Sequence, residues 1–203
     1  MKALEPVTVV LTKPIDYCDE HYDSFTLDFS GLTGKDDMAI RKRIEKQYGR
    51  MPVSLEGSAE YAANVAAAAA SIDIDVLDVV SAADMMAIMD EVNSYLDSCE
   101  LHDGTLFGVS GEIRYDFESL TGKDVLSAER ACGVSREDKR NDVPFLSALA
   151  AKACGMTPAA IRELPLCDHA GLILVARTFL YVSALRNQQQ KTLRKLREKT
   201  GTS

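Results

Sequence analysis

Asp28-Phe29-Ser30-Gly31-Leu32-Thr33-Gly34-Lys35-Asp36 returns later in the chain as Asp116-Phe117-Glu118-Ser119-Leu120-Thr121-Gly122-Lys123-Asp124, identical at seven of nine positions. The match extends outward once a gap of four residues is opened in the second copy. Tyr61-Ala62-Ala63-Asn64-Val65-Ala66-Ala67 then falls on Phe145-Leu146-Ser147-Ala148-Leu149-Ala150-Ala151, and Asp84 falls on Asp168. Ile88-Met89 meets Leu172-Ile173, and Tyr95-Leu96 meets Phe179-Leu180. One shift serves this whole later part, so the sequence reads as a tandem duplication of one small unit, with too few copies for a solenoid.

Each copy of the motif joins a strand signal to a helix signal. Ahead of the first lie Val7-Thr8-Val9-Val10-Leu11 and the alternating Phe25-Thr26-Leu27-Asp28-Phe29, which predict a hairpin with a long acidic connection over 12–24. Thr33 is placed to cap a helix with Asp36 three residues on, and Ile40, Ile44 and Tyr48 follow at helical spacing before Gly49. Beyond the Met51-Pro52 loop, Ser58 can cap an alanine-rich helix to Ala70. A short helix over 72–80 comes next, and Ser81-Ala82-Ala83-Asp84 caps another that buries Met85, Ile88, Met89, Val92 and Leu96.

The later half repeats the plan. Strands are expected on either side of a Ser110-Gly111 turn, then a helix capped by Thr121 and Asp124, a polar segment over 132–143, and a short helix opened by Thr157-Pro158. Pro165 introduces the last helix, whose apolar positions are Leu172, Ile173, Ala176, Phe179 and Leu180. The expected fold class is α+β: two similar, mostly helical units over 1–97 and 98–185, each a β-hairpin followed by about four helices, and a basic helical extension over 186–203.

Composition narrows the function. The chain has 203 residues, a net charge of −8, 46% apolar residues and no tryptophan, which fits an ordinary globular protein. The acidic balance argues against nucleic acid and membrane surfaces, both of which are anionic. Five scattered cysteines point to reduced thiols in a cytosolic setting. Residues 1–6 lack the apolar run of a signal peptide, and no apolar stretch is expected to reach membrane-spanning length.

Three constellations invite a chemical reading. Gly31-Leu32-Thr33-Gly34-Lys35-Asp36 resembles a phosphate-binding loop only superficially, because its spacing is short and Asp36 stands where a hydroxyl should hold magnesium. Cys18 and His21, with Cys99 and His102, form two Cys-x-x-His pairs of the type that holds zinc, but they occupy non-equivalent places in polar segments. Cys167, Asp168 and His169 are neighbours on a helix and point in different directions, so they make no triad with one another, and Asp84 and Asp168 read as capping acids. No catalytic residue, metal ligand or cofactor site is therefore assigned. Met85, Met86 and Met89 are core candidates that could also form an adaptable partner surface. Arg186, Lys191, Arg194, Lys195 and Arg197 make the last eighteen residues net +5 against −13 for the rest, and are candidate contacts for an acidic partner or another copy of the chain.

The order of elements resembles the small tail assembly chaperones of tailed bacteriophages. The resemblance is carried by Val9-Val10-Leu11-Thr12-Lys13-Pro14-Ile15, by the aromatic-x-x-Leu-Thr-Gly-Lys-Asp turn, and by Leu164-Pro165-Leu166-Cys167-Asp168 through Phe179-Leu180. It implies a non-enzymatic protein of the host cytoplasm that keeps the tape measure protein soluble, helps recruit tail tube subunits, and forms homo-oligomers. Family members usually carry one unit of this kind, and this chain carries two. The competing classes are a small zinc-binding enzyme and a nucleic-acid-binding regulator.

Overall fold

A computed structural model describes residues 4–49, 58–132 and 141–200, with side chains to residue 192. The architecture is α+β. Strands β1 (Val7–Tyr17) and β2 (Glu20–Leu27) form an antiparallel hairpin, followed by α1 (Gly34–Tyr48), α2 (Ala59–Ala70), a 3-10 helix (Ile74–Val79) and α3 (Ala82–Leu96). A three-stranded antiparallel sheet comes next, ordered β3 (Glu100–His102), β4 (Thr105–Gly108) and β5 (Gly111–Arg114). The chain then forms α4 (Gly122–Cys132), α5 (Val143–Ala153), α6 (Pro158–Arg162) and α7 (Leu166–Thr200).

Three sequence expectations are corrected. The acidic connection over 12–24 is strand, not loop: it pairs as Ile15 with Tyr22, Asp16 with His21 and Tyr17 with Glu20, past an irregularity between Val10 and Ile15. Its polar residues line the solvent face, so they hid the period-two pattern. Cys18 and Asp19 make the tight turn with φ of 50° and 67°, the left-handed pair that a two-residue hairpin favours. In the second sheet the turn lies at Val109-Ser110, because Gly108 pairs with Gly111, and β3 adds a strand that its short polar sequence did not signal. The expectation of no membrane-spanning length is corrected by α7, whose Leu166–Thr192 stretch has the length and hydropathy of a spanning helix. Half of its apolar window is buried against protein, and Asp168, His169 and Arg177 are buried with it. The Met51-Pro52 loop and most of the 132–143 segment lie outside the described residues.

Caps explain the helix boundaries. The Thr33 hydroxyl accepts from the Lys35 amide, while Asp36 accepts from the Thr33 amide at 2.8 Å, a reciprocal box that satisfies otherwise unpaired N–H groups. Ser58 accepts from the Tyr61 amide, Asp142 from Phe145 and Thr157 from Ala160. The bonds around these caps recur along the chain. Leu32 N–H donates to Phe29 and Leu120 to Phe117; Asp28 donates to Ala69 and Asp116 to Ala153; Ile72 donates to Ala67 and Met156 to Ala151.

Two apolar cores form. The first gathers Phe25, Leu27, Phe29, Ile40, Ile44, Val65, Ile88, Val92 and Tyr95, with Val109, Leu166 and Cys167 from the later half of the chain. The second gathers Leu106, Phe117, Leu146, Leu149, Ile161, Leu172 and Ile173, with Met38 from α1 packed against it. Alanine-rich α2 is buried along most of its length, at Tyr61, Ala62, Asn64, Val65, Ala66, Ala67 and Ala69. Truncating a fully buried side chain such as Ile88 costs about 2–5 kcal/mol. The cores therefore lock together, each completed by residues from the other half.

Candidate functional site

The lock is a polar one. Near its start α1 carries Asp37 and, one turn on, Arg41, whose Nε donates to Asp37 Oδ1 at 2.7 Å with both groups buried. The Tyr61 hydroxyl, from α2, donates to the same oxygen at 2.6 Å, and its ring lies 5.0 Å from the guanidinium carbon. From α7, His169 Nδ1 meets Asp37 Oδ2 at 2.8 Å, and its Nε2 lies 3.3 Å from Ser147 Oγ on α5. Burial alone would push the Asp37 carboxyl up, but the Arg41 charge and the His169 and Tyr61 hydrogen bonds outweigh it and hold Asp37 well below the usual carboxylate range. The two ring nitrogens of His169 thus bridge Asp37 on α1 and Ser147 on α5.

The order Ser147, His169, Asp37 has the connectivity of a nucleophilic triad. Its burial excludes the chemistry in this conformation. Asp37 and His169 are fully enclosed and Ser147 is 2% exposed, so no substrate carbonyl reaches the hydroxyl. The arrangement does structural work: it joins α1, α2, α5 and α7. Sequence reasoning missed it because His169 was weighed against its neighbours, whereas its partner Asp37 is 132 residues away.

Backbone contacts extend the junction. Gly34 N–H donates to Leu164 C=O and Leu166 N–H to Leu32 C=O, both at 2.9 Å, and Lys35 pairs with Glu163. The loop that resembles a phosphate cradle thus spends its Gly34 amide and its lysine on α6 and its following turn. A methyl at Gly34 would lie 2.6 Å from His169 Cδ2, so the absent side chain is what admits the imidazole.

Asp168 faces the other way. It accepts from Val109 N–H at 2.9 Å, from Ser110 N–H at 2.8 Å and from the Ser110 hydroxyl, and so seats the β4–β5 turn. This corrects its reading as a capping acid. Asp84 combines both roles: it bonds the Ser81 hydroxyl at 2.8 Å and takes the amide and hydroxyl of Thr12 in β1.

Cys99 Sγ lies 3.2 Å and Cys167 Sγ 3.4 Å from Asp168 Oδ1, and the three potential ligand atoms lie within 4.8 Å of one another. This cluster was not foreseen. Contact with Cys167, then burial and the nearby Asp168 charge, push the Cys99 thiol up, so it stays protonated and donates. Both Asp168 oxygens already accept from the 109–110 turn, which makes the set a hydrogen-bonded junction with poor capacity for a cation. Of the Cys-x-x-His pairs, Cys18 is exposed in the β1–β2 turn, His21 bonds Asp16 at 2.6 Å, and His102 faces Glu100 at 3.4 Å. Cys99 turns toward Cys167 instead of His102.

The partner-binding candidates divide. Met86 is exposed, whereas Met85 and Met89 are half-buried against the first core. Arg186 Nη1 reaches Glu118 at 3.3 Å on the surface, and Lys191 is exposed. The side chains of Arg194, Lys195 and Arg197 lie outside the described residues, although the helix backbone continues through them. No protein family, curated protein or solved structure matches this chain.

One apolar surface was not singled out from sequence. Leu174, Tyr181, Val182 and Leu185 are exposed on α7 at steps that keep them on one side of the helix. Beside them a groove of about 540 Å³ is lined by Leu101, Tyr115, Phe117, Phe179 and Val182, among others. The signal was present in the sequence: α7 is apolar beyond the single stripe its core contacts require.

Proposed function

We propose that the chain is one α+β unit written twice, and that the protein is a non-catalytic assembly chaperone of tailed-phage tails. It keeps the tape measure protein soluble and helps recruit tail tube subunits in the host cytoplasm. The recurring caps support the duplication, as do the paired bonds from Asp28 and Asp116, from Ile72 and Met156, and from Thr12 and Val109 to the acids Asp84 and Asp168.

The observation that carries the chaperone reading is the exposed stripe Leu174, Val182 and Leu185 on a helix running 35 residues. A long helical client with its own apolar stripe has the shape and chemistry to lie along it, burying both at about 25 cal/mol per Å². The enclosed state of Ser147 and His169 favours a binding protein over an enzyme.

Co-expression with the tape measure protein tests this. The client should remain soluble and co-purify, and Leu174→Asp with Leu185→Asp should release it while leaving the circular dichroism of the chaperone unchanged. A client that stays insoluble beside wild-type protein overturns the reading.

A further inference from the structure

Cys99 and Cys167 meet over the start of α7, although they come from segments far apart in the sequence. We propose that they form a site of reversible oxidation: a peroxide joins them as a disulfide that pins the segment between α3 and β3 to α7, and thiol reductants open it again.

Packing sets the placement. Cys99, just ahead of β3, is half-buried and packs against both cores, whereas Cys167, in the first turn of α7, is fully enclosed in the first core. Gly171 lies one turn beyond Cys167 on the same face of the helix, and a methyl there would stand 3.8 Å from Cys99 Cβ and 2.7 Å from Leu106 Cδ1. The bare glycine therefore lets Cys99 close down on the face that carries Cys167. Both sulfurs turn to one atom, Asp168 Oδ1, at 3.2 and 3.4 Å, and they lie within 4.8 Å of each other. Rotation of the two side chains has to supply the remaining approach to a bond of about 2.05 Å.

The fold does not need sulfur at this place. Asp84 accepts from the amide and hydroxyl of Thr12, as Asp168 does from those of Ser110, and the residue before Asp84 is Ala83. Joining the sulfurs would not leave Asp168 unsatisfied either, since it keeps the Val109 and Ser110 amides and the Ser110 hydroxyl. The thiol pair can therefore react without unseating the β4–β5 turn.

Exposure orders the steps. The Cys99 sulfur attacks one peroxide oxygen, the O–O bond breaks, and the other oxygen leaves as water with the thiol proton, so that Cys99 becomes a sulfenic acid. The Cys167 sulfur then attacks the Cys99 sulfur, the S–O bond breaks, and the second oxygen leaves as water with the Cys167 proton. Two electrons and two protons pass from the thiols to one peroxide. Contact with Cys167 and burial push the Cys99 thiol up and keep its thiolate scarce, so the pair answers sustained oxidant and resists traces of it. A dithiol reverses the change: one of its sulfurs attacks the disulfide, and the other completes the exchange. While closed, the bond spans everything from β3 to α6, which restrains the unfolded chain and raises resistance to denaturant.

Full-length Cys18→Ser protein, which lacks the exposed thiol, is treated with hydrogen peroxide and digested without reductant. Mass spectrometry should find the peptides of Cys99 and Cys167 linked, titration in denaturant should show about two thiols lost per chain, and the urea midpoint should rise until dithiothreitol is added. Cys99→Ala, at the half-buried position, should abolish the linked peptides and the midpoint rise with an unchanged circular dichroism spectrum, and Cys167→Ala should do the same. Thiols at 99 and 167 that stay free, that oxidise to sulfinic acids without joining, or that join Cys132 or Cys154 would overturn the proposal. So would a midpoint rise that persists in Cys99→Ala.

Discussion

Helices α1 and α4 begin with the same Thr-Gly-Lys-Asp cap and meet opposite fates. In α1 the residues Asp37, Ile40, Arg41 and Ile44 are all buried, because α7 and α6 close over the helix start, whereas in α4 only Ala128 is buried. An identical local signal therefore fixes where a helix starts and says little about what covers it. The difference shows in composition one turn in, where α1 has Asp37 and Arg41 while α4 has Val125 and Glu129.

The largest expected effect attacks that difference directly. Asp37→Asn removes the carboxylate that the buried Arg41, Tyr61 and His169 side chains share and should cost about 3–5 kcal/mol in urea unfolding. The corresponding Val125→Asn, half-buried at the surface, should cost well under half of that. Equal losses at the two positions would break the comparison.

Acid sharpens it. Because the Asp37 carboxyl is depressed in the folded protein, its stabilisation is fully present above the ordinary aspartate value of about 3.9. As pH falls below that value the unfolded chain takes up the proton first, and stability drops until the folded group also protonates. Urea midpoints measured at about pH 6, 4 and 3 should fall steeply, and Asp37→Asn should flatten part of the slope.

A smaller contrast concerns the glycines of the two caps. Gly34→Ala forces a methyl into the His169 ring and should cost about 1–3 kcal/mol, whereas Gly122→Ala meets open space and should stabilise the isolated chain by up to about 1 kcal/mol. Thermal unfolding at low concentration distinguishes the two.

Much of the fold was legible where signals are local. Thr33, Ser58, Ser81, Thr121 and Thr157 each named a helix start, and the spacing of Ile40 with Ile44 and of Ile88 with Val92 named the buried faces. The lower arm of the first hairpin was hard to read, since Lys13, Pro14 and the exposed Asp16, Glu20 and His21 mask the short alternation carried by Ile15, Tyr17 and Tyr22. The junction was illegible for another reason. Asp37 looks like an ordinary first-turn acid until Tyr61 and His169 arrive from distant segments, and no spacing rule connects them. Cys99 likewise looked like half of a Cys-x-x-His pair, when tertiary packing sets it beside Cys167 and Asp168.

Leu166 and Cys167 complete the first core, and this has a consequence for synthesis on the ribosome. The polypeptide emerges from its N-terminus, so Phe29, Ile44 and Tyr95 leave the exit tunnel long before the start of α7 is translated. Until that segment follows, the early half holds its Asp37 without His169 and its Tyr95 hydroxyl without the Cys167 amide. Completion of the first core therefore waits on translation of the start of α7, and a ribosome that stalls after α3 leaves a nascent chain with an open apolar face.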